Sequence, residues 1–149
     1  MFVKIKGFEH ERTQDAPFMG CLIIANDCNR NCRNCFNQHL KNKPSIDMTA
    51  DDIIAEVKKN PFNEGIILGG LEWFEQLDDM YILMKAAAES NLKIMVYTGE
   101  SYIKDESIFI ECAKKVETYV KLGPYIEALP GRQMYGITLA SKNQKIIKF

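Results

Sequence analysis

Short apolar runs alternate along this chain with segments in which apolar residues recur at helical spacing. The runs end in glycine or polar residues, and we interpret them as buried strands. The segments between them favour amphipathic helices. The predicted strands cover residues 21–25, 65–70, 92–97 and 118–122, and the predicted helices cover residues 50–59, 77–88 and 105–115.

Alternation of strands and helices predicts βαβ units and a mostly parallel sheet. The chain has 149 residues, enough for a single domain, 1–149, with one core. A complete eight-unit barrel takes about 250 residues. We therefore predict an α/β fold in the form of a partial, open (β/α) barrel, whose open side is available to a partner. Residues 135–139 and 145–149 are further candidate strands.

Unusual residues follow each of the four predicted strands. A cysteine loop at 28–35 follows the first, and Gly69-Gly70, Thr98-Gly99 and Gly123-Pro124 end the others. In parallel α/β folds the carboxyl ends of the strands share one edge, and sites form there. We expect these four segments to meet in a functional site.

The cysteine loop carries the strongest chemical signal. Cys28, Cys32 and Cys35 have the spacing C-x3-C-x2-C, with polar residues between them. Three thiolates this close can bind three irons of a [4Fe–4S] cluster. The fourth iron then has no cysteine ligand and is open to a small molecule that chelates iron.

Two other interpretations of the three cysteines remain open. His39 follows Cys35 by four residues, and a Cys₃His set can hold structural zinc. Zinc ligands usually come as two pairs separated by a longer loop, whereas these four candidates fall within twelve residues. Three thiols without metal are the second alternative, although unmodified cysteine is usually buried in apolar surroundings.

Composition and charge exclude several classes of partner. The formal net charge is −1 with 26% charged residues, which does not favour capture of nucleic acid or of a membrane surface. No apolar run approaches the roughly 18 residues of a membrane span, and residues 1–7 lack the apolar stretch of a signal peptide. Five cysteines, three of them clustered, fit a reducing compartment, and we expect a cytoplasmic protein.

The remaining conspicuous residues are assigned to packing. Cys21 begins an apolar run and Cys112 lies on an apolar helix face, so both are predicted in the core. Trp73 is assigned to packing as well. His10 has no visible partner in the sequence and receives no role.

The cysteine spacing resembles that of the radical S-adenosylmethionine superfamily. Four stretches are similar to the activating proteins of anaerobic ribonucleotide reductases within it. These are Cys-Arg-Asn-Cys-Phe-Asn at 32–37, Val-Tyr-Thr-Gly at 96–99, Lys-Leu-Gly-Pro-Tyr-Ile-Glu at 121–127 and Ala-Ser-Lys-Asn-Gln-Lys-Ile at 140–146. Their order and spacing cover nearly the whole chain.

The resemblance implies a function. S-adenosylmethionine chelates the open iron, and reductive cleavage yields methionine and a 5′-deoxyadenosyl radical. That radical generates a glycyl radical on the large reductase subunit. An electron donor such as flavodoxin or ferredoxin supplies the electron. A radical S-adenosylmethionine enzyme with another polypeptide or a small molecule as substrate, and a non-catalytic zinc or cluster module, are the alternatives.

The resemblance also implies contacts to S-adenosylmethionine. They are assigned to Asn34, Gly69, Gly70, Glu72, Thr98 and Gly99. The Gly-Gly-Glu element common in the superfamily is split here by Leu71, so either the loop bulges to restore the Glu72 carboxylate, or backbone carbonyls alone bind the amino group. Ala140 and Lys145 stand where glycine and arginine are common, which suggests a divergent member.

Overall fold

A computed structural model describes residues 1–29, 37–124, 126, 131–141 and 143–149. Within these residues it contains three α-helices and nine strands. Two short 3-10 turns, Gln38–Asn42 and Trp73–Glu75, lie between them. In chain order the elements are β1 (Phe2–Arg12), β2 (Gly20–Ala25), β3 (Ile46–Thr49), α1 (Ala50–Lys58), β4 (Gly65–Gly69), α2 (Leu77–Glu89), β5 (Lys93–Tyr97), α3 (Ser107–Ala113), β6 (Thr118–Leu122), β7 (Gln133–Met134), β8 (Ile137–Thr138) and β9 (Lys145–Lys148).

Seven strands form one sheet in the order β3-β1-β2-β4-β5-β6-β9. The four central strands β2, β4, β5 and β6 run parallel. Strands β1, β3 and β9 add antiparallel pairs at the two sides. The α/β class and the mostly parallel sheet are therefore confirmed. In the described part of the chain the sheet has two edges and does not close, as a partial barrel requires.

All three helices pack on the same face of the sheet. Side chains that alternate along the central strands form one large buried cluster with the apolar faces of α1, α2 and α3. Their neighbours along the same strands point to the opposite face. Helix α1 begins as its sequence predicts, because Thr49 Oγ1 accepts a hydrogen bond from the backbone N–H of Asp52 at 3.1 Å.

The helix-free face of the sheet is partly covered by the chain itself. The loop between β1 and β2, here called the strap (residues 13–19), contributes buried Ala16 and Phe18. The hairpin of β7 and β8 reaches the same cluster, to which buried Ile137 and Leu139 belong. These side chains pack on Met95 and other sheet residues. Part of the helix-free face is thus covered from within the chain.

The residues assigned to packing behave as expected. Cys21, Cys112 and Trp73 are all buried. Burial raises the pKa of Cys21 to about 12 and that of Cys112 to about 11. His10 does have a partner, since Asn63 Nδ2 donates to its Nδ1 over 2.9 Å. The sequence could not reveal this contact because 53 residues separate the pair.

A search of the described helices for one long and apolar enough to span a bilayer finds none.

Candidate active site

One cleft opens at the carboxyl edge of the four parallel strands. Five of the residues predicted from the sequence line it: Cys28, Gly70, Glu72, Thr98 and Gly99. Gly69, the last residue of β4, lies directly beneath and is buried. Cys32, Cys35 and Asn34 lie outside the described residues. The remaining residues that line the cleft are Asn37, Gln38, Lys41, Leu71, Tyr97, Lys121, Gly123, Pro124 and Gln144.

Cys28 reaches the cleft because β2 points directly at it. The strand ends at Ala25, and three residues later the half-buried Cys28 stands on the cleft wall. Its backbone N–H donates to Asp27 Oδ1 at 2.8 Å, which fixes the turn that leads out of the strand. The first cysteine of the triplet therefore lies beside the ends of β4 and β5, as the sequence analysis expected for this segment.

The segment that follows Gly-Gly-Leu, here called the brace (residues 72–76), supports the exit of β2. The backbone N–H of Glu72 donates to the carbonyl of Asp27 at 3.1 Å. The buried indole of Trp73 donates through Nε1 to the carbonyl of Ile23 at 3.0 Å. Both bonds satisfy carbonyl groups of β2 or of the turn after it, so the brace fixes the direction in which the chain enters the cysteine loop.

The second half of the brace binds the beginning of the cysteine loop. The carboxylate of Glu75 accepts from the backbone N–H of Asn29 at 3.1 Å. Gln76 Oε1 accepts from the backbone N–H of Asn26 at 2.7 Å. Cys28 thus lies between two backbone amides that the same short segment holds in place.

Glu72 occupies the centre of the cleft wall. Its side chain is only 4% exposed. Oε1 accepts from the backbone N–H of Gly99 at 2.7 Å, and Oε2 accepts from that of Phe74 at 3.1 Å. Each carboxylate oxygen thus accepts a backbone N–H, which fixes the orientation of the Glu72 side chain in the cleft wall. The inserted Leu71 therefore does not remove the carboxylate from the cleft.

A glycine makes this arrangement possible at position 70. Gly70 has φ +79°, a conformation that disfavours any residue with a side chain. A Cβ at this position would also lie 2.8 Å from Ile24 Cγ2. The chain consequently passes close to β2 before it turns toward Leu71 and Glu72.

The end of β5 forms the next part of the wall. Thr98 is buried, and its backbone N–H donates to the carbonyl of Lys121 at 3.0 Å. Its Oγ1 accepts from the backbone N–H of Glu100 at 3.0 Å. These bonds orient the turn around Gly99, whose N–H is thereby aimed at Glu72.

Sequence reasoning gave no role to the C-terminal Asn143-Gln144 pair, and the structure brings it to the cleft. Gln144 lines the cleft, and its Nε2 donates to the carbonyl of Gly123 at 3.1 Å. Asn143 Nδ2 donates to the carbonyl of Pro124 at 2.8 Å. The sequence offered the family-like stretch at 140–146 and two amides directly before an apolar strand, and neither identifies the partners of these side chains.

Two lysines and a tyrosine complete the lower wall. Lys41 and Lys121 bring positive charge to the cleft, and Lys121 Nζ lies 4.3 Å from the centroid of the Tyr97 ring. Tyr97 donates through its hydroxyl to the carbonyl of Asp15 in the strap at 2.5 Å. Burial raises the pKa of Tyr97 well above its usual value, so this tyrosine is a neutral donor at physiological pH.

The zinc alternative receives no support from the part of the chain that the structure describes. No three His, Cys, Asp or Glu side chains there come close enough to hold a metal ion. His39 lies on the short turn Gln38–Asn42 and is exposed. Since Cys32 and Cys35 are not among the described residues, the placement of the complete cysteine triplet stays a prediction.

Comparison with protein families gives a match over most of the chain. The family model described as "4Fe-4S single cluster domain" matches residues 17–147. The matched range begins just before β2 and includes every strand end that borders the cleft. No curated protein matches the chain.

Proposed function

Because the chain belongs to the family of 4Fe-4S single cluster domains, we propose that it is a radical S-adenosylmethionine enzyme. In this proposal Cys28, Cys32 and Cys35 bind three irons of one [4Fe–4S] cluster, and S-adenosylmethionine occupies the cleft. The observation that carries the proposal is the position of Cys28 on the same cleft wall as Gly70, Glu72 and Gly99. A cluster at the cysteines would then border the space that the cofactor needs.

The bound cluster would supply the one electron that cleaves the carbon–sulfur bond of S-adenosylmethionine and produces a 5′-deoxyadenosyl radical. The chain's own residues bind and orient the reactants. Glu72 places a negative charge in a water-poor wall, where it attracts the ammonium group of S-adenosylmethionine more strongly than in water. Lys41 and Lys121 place positive charge in the same cleft, where it suits the carboxylate of S-adenosylmethionine.

We further propose that the radical generates a glycyl radical on the large subunit of an anaerobic ribonucleotide reductase. Two features support a polypeptide substrate. The cleft lies at the carboxyl edge of the sheet, and the helix-free face beside it is partly covered by the strap and the hairpin. A substrate therefore approaches the edge, which a protruding loop of a partner protein can do. An electron donor such as flavodoxin or ferredoxin and a cytoplasmic setting belong to the same proposal.

The first experiment is anaerobic reconstitution with iron and sulfide, followed by an absorbance spectrum and an S-adenosylmethionine cleavage assay with dithionite. We expect a brown protein that releases 5′-deoxyadenosine. Cys28→Ala, Cys32→Ala and Cys35→Ala should each abolish cluster-dependent cleavage. Cys112→Ala is the matched control, since Cys112 is buried between α3 and its neighbours and should not affect the cluster.

A colourless protein that retains zinc and cleaves nothing would contradict the proposal.

The choice of partner needs a separate measurement. Mixing the reconstituted protein with the large reductase subunit, S-adenosylmethionine and a reductant should produce a glycyl radical signal in electron paramagnetic resonance. Cleavage of S-adenosylmethionine without that signal would retain the radical chemistry and exclude this partner.

A further inference from the structure

The start of β9 lies at the cleft because of its direction in the sheet. Strand β9 pairs antiparallel with β6, and its first residue, Lys145, is opposite Leu122, the last residue of β6. An antiparallel neighbour therefore begins where the parallel strands end. The residues just before β9, here called the clasp (Ser141, Asn143 and Gln144), stand at the carboxyl edge for this reason.

Gln144 is the buried centre of the clasp. Its side chain is 3% exposed, and both ends of its amide are bonded. Oε1 accepts from the backbone N–H of Ser141 at 3.2 Å, and Nε2 donates to the carbonyl of Gly123 at 3.1 Å. Arg132, at the base of the hairpin, donates through Nη2 to the backbone carbonyl of Gln144 at 3.3 Å. The orientation of this amide is therefore fixed from both sides.

Gly123 is held from two directions at the point where β6 ends. Its N–H donates to the carbonyl of Glu100 at 2.7 Å, and its carbonyl accepts from Gln144. Its φ is +109°, and a Cβ would lie 3.2 Å from Gln144 Cα. The next carbonyl, that of Pro124, accepts from Asn143 at 2.8 Å. Two consecutive carbonyls of the cleft wall are thus bonded to two consecutive amide side chains of the clasp.

We propose that Gln144 is a positioning residue that holds the Gly123-Pro124 wall at the spacing required to bind S-adenosylmethionine. The inference rests on the proposed function for the identity of the ligand. A carbonyl at a strand end has left the sheet ladder, and a side-chain donor is needed to fix its direction when the site must be formed before the ligand arrives. Gln144 supplies that donor.

The test uses Gln144→Glu in the full chain. Glutamate keeps the shape and one acceptor but replaces the Nε2 donor with an oxygen that faces the Gly123 carbonyl. Asn63→Asp is the matched control. Asn63 is 8% exposed at the opposite edge of the sheet, and its Nδ2 likewise donates to a backbone carbonyl, that of Val57, at 3.0 Å. Both variants place an acceptor against a carbonyl, and Asn63→Asp also removes the bond to His10 Nδ1, so the control tests a loss of stability of the same kind away from the cleft.

Two readouts separate positioning from stability. Hydrogen–deuterium exchange without ligand should become several-fold faster at the amides of Leu122 and Gly123 in Gln144→Glu and remain unchanged there in Asn63→Asp. The Kd for S-adenosylmethionine, measured on the reconstituted protein, should rise at least about tenfold in Gln144→Glu only, as expected for loss of a buried hydrogen bond. If Gln144→Glu does not fold, Gln144→Met, which lacks both the carbonyl and the NH₂ of the side-chain amide but preserves length, replaces it.

The results of these two measurements test the role of Gln144 and the proposed function separately. Unchanged exchange at the amides of Leu122 and Gly123 overturns the inference, because Gln144 would then not fix the wall. Equal weakening of S-adenosylmethionine binding by Asn63→Asp overturns it too, because the effect would reflect general stability. A wild-type protein that carries a cluster but binds no S-adenosylmethionine contradicts the proposed function instead and removes the ligand assigned here, while the exchange result still judges the role of Gln144 in the wall.

Discussion

The Glu72 carboxylate accepts a hydrogen bond from the backbone N–H of Gly99 at 2.7 Å, and this contact joins the ends of two parallel strands. Glu72 follows β4 and Gly99 follows β5. Both residues were predicted separately as contacts to S-adenosylmethionine. The structure adds that they depend on each other, since the carboxylate orients the turn that carries Gly99.

Substitution of Glu72 by glutamine tests this dependence. In Glu72→Gln an NH₂ group must face either Gly99 or Phe74, and both offer N–H donors. We expect the free energy of unfolding to fall by about 1 to 3 kcal/mol, the cost of an unsatisfied buried donor. The Kd for S-adenosylmethionine should rise on the order of tenfold because the charge of the wall is lost.

Chemical denaturation and ligand titration measure the two effects of Glu72→Gln. Glu89→Gln, at the exposed end of α2, is the control and should leave both quantities unchanged. An unchanged Kd in Glu72→Gln would remove Glu72 from the ligand-binding residues and leave it a purely structural role.

Gly70→Ala should disturb the cleft more than the same change at Gly136. The two glycines have nearly the same φ, +79° and +77°. A Cβ at position 70 would meet Ile24 at 2.8 Å, whereas a Cβ at position 136 meets nothing within 4 Å. We expect backbone strain of about 1 kcal/mol in both variants and a further loss of about 1 to 3 kcal/mol from the clash in Gly70→Ala.

The difference in denaturation midpoint between these two alanine variants isolates the clash. Equal midpoints would mean that β2 and the turn after β4 can separate without cost. In that event the close approach of Gly70 to Ile24 would not define the cleft.

Removal of the Glu75 carboxylate should loosen the cysteine loop without unfolding the protein. Glu75 is exposed, and its carboxylate accepts from the backbone N–H of Asn29, next to Cys28. In Glu75→Ala we expect the reconstituted cluster to lose iron to a chelator several-fold faster, because a contact that supports the proposed ligand Cys28 is lost. The decay of cluster absorbance measures this rate, with Glu89→Ala as the control; identical decay curves would show that the brace does not protect the cluster.

Alkaline pH should destabilise the apo-protein partly through Cys21. In the folded state the pKa of Cys21 is raised from 9.0 to about 12. Burial is the largest cause, and the charge of Glu56 adds to it. The stabilisation from the buried neutral thiol is complete below the unfolded-state value near 9 and is lost as pH rises toward 12. Between pH 8 and pH 10 we expect Cys21 to contribute a loss of about 1 kcal/mol.

Urea unfolding of the wild type and of Cys21→Ala at these two pH values measures the contribution. The slope with pH should be smaller in the variant but not zero, because burial and the Glu117 carboxylate also raise the pKa of Tyr119 to about 12. The same slope in both proteins would show that Cys21 is ionised as easily in the folded state as in the unfolded state.

The sequence predicted the four parallel strands and their shared edge well because their apolar runs are buried on both faces. It missed β1 as a strand of the sheet, and β3 as well. Strand β3 is short, lies at the edge and is largely exposed, so it carries little apolar signal. Strand β1 has an irregular register with β2, which interrupts its alternation.

The hydrogen bonds within the cleft could not be predicted from the sequence, for a different reason. The partner of Glu72 is 27 residues away, and that of Gln144 is 21 residues away. Which backbone groups remain without a ladder partner depends on the register of strands that are distant in the chain. A residue pattern can name the types that gather at an edge, but the pairs follow only from the assembled sheet.

The strap and the hairpin have a kinetic consequence for any reaction in the cleft. Ala16, Phe18, Ile137 and Leu139 pack beneath Tyr97, so that side of the described structure is a blind end. For the described residues, the mouth at the carboxyl edge of the strands is then the route for reactants and products. A polypeptide bound across that mouth would block the exit of methionine and 5′-deoxyadenosine. Turnover on a partner protein would therefore be sequential: the small cofactor enters first and the partner second, and the partner dissociates before the cleft is reloaded.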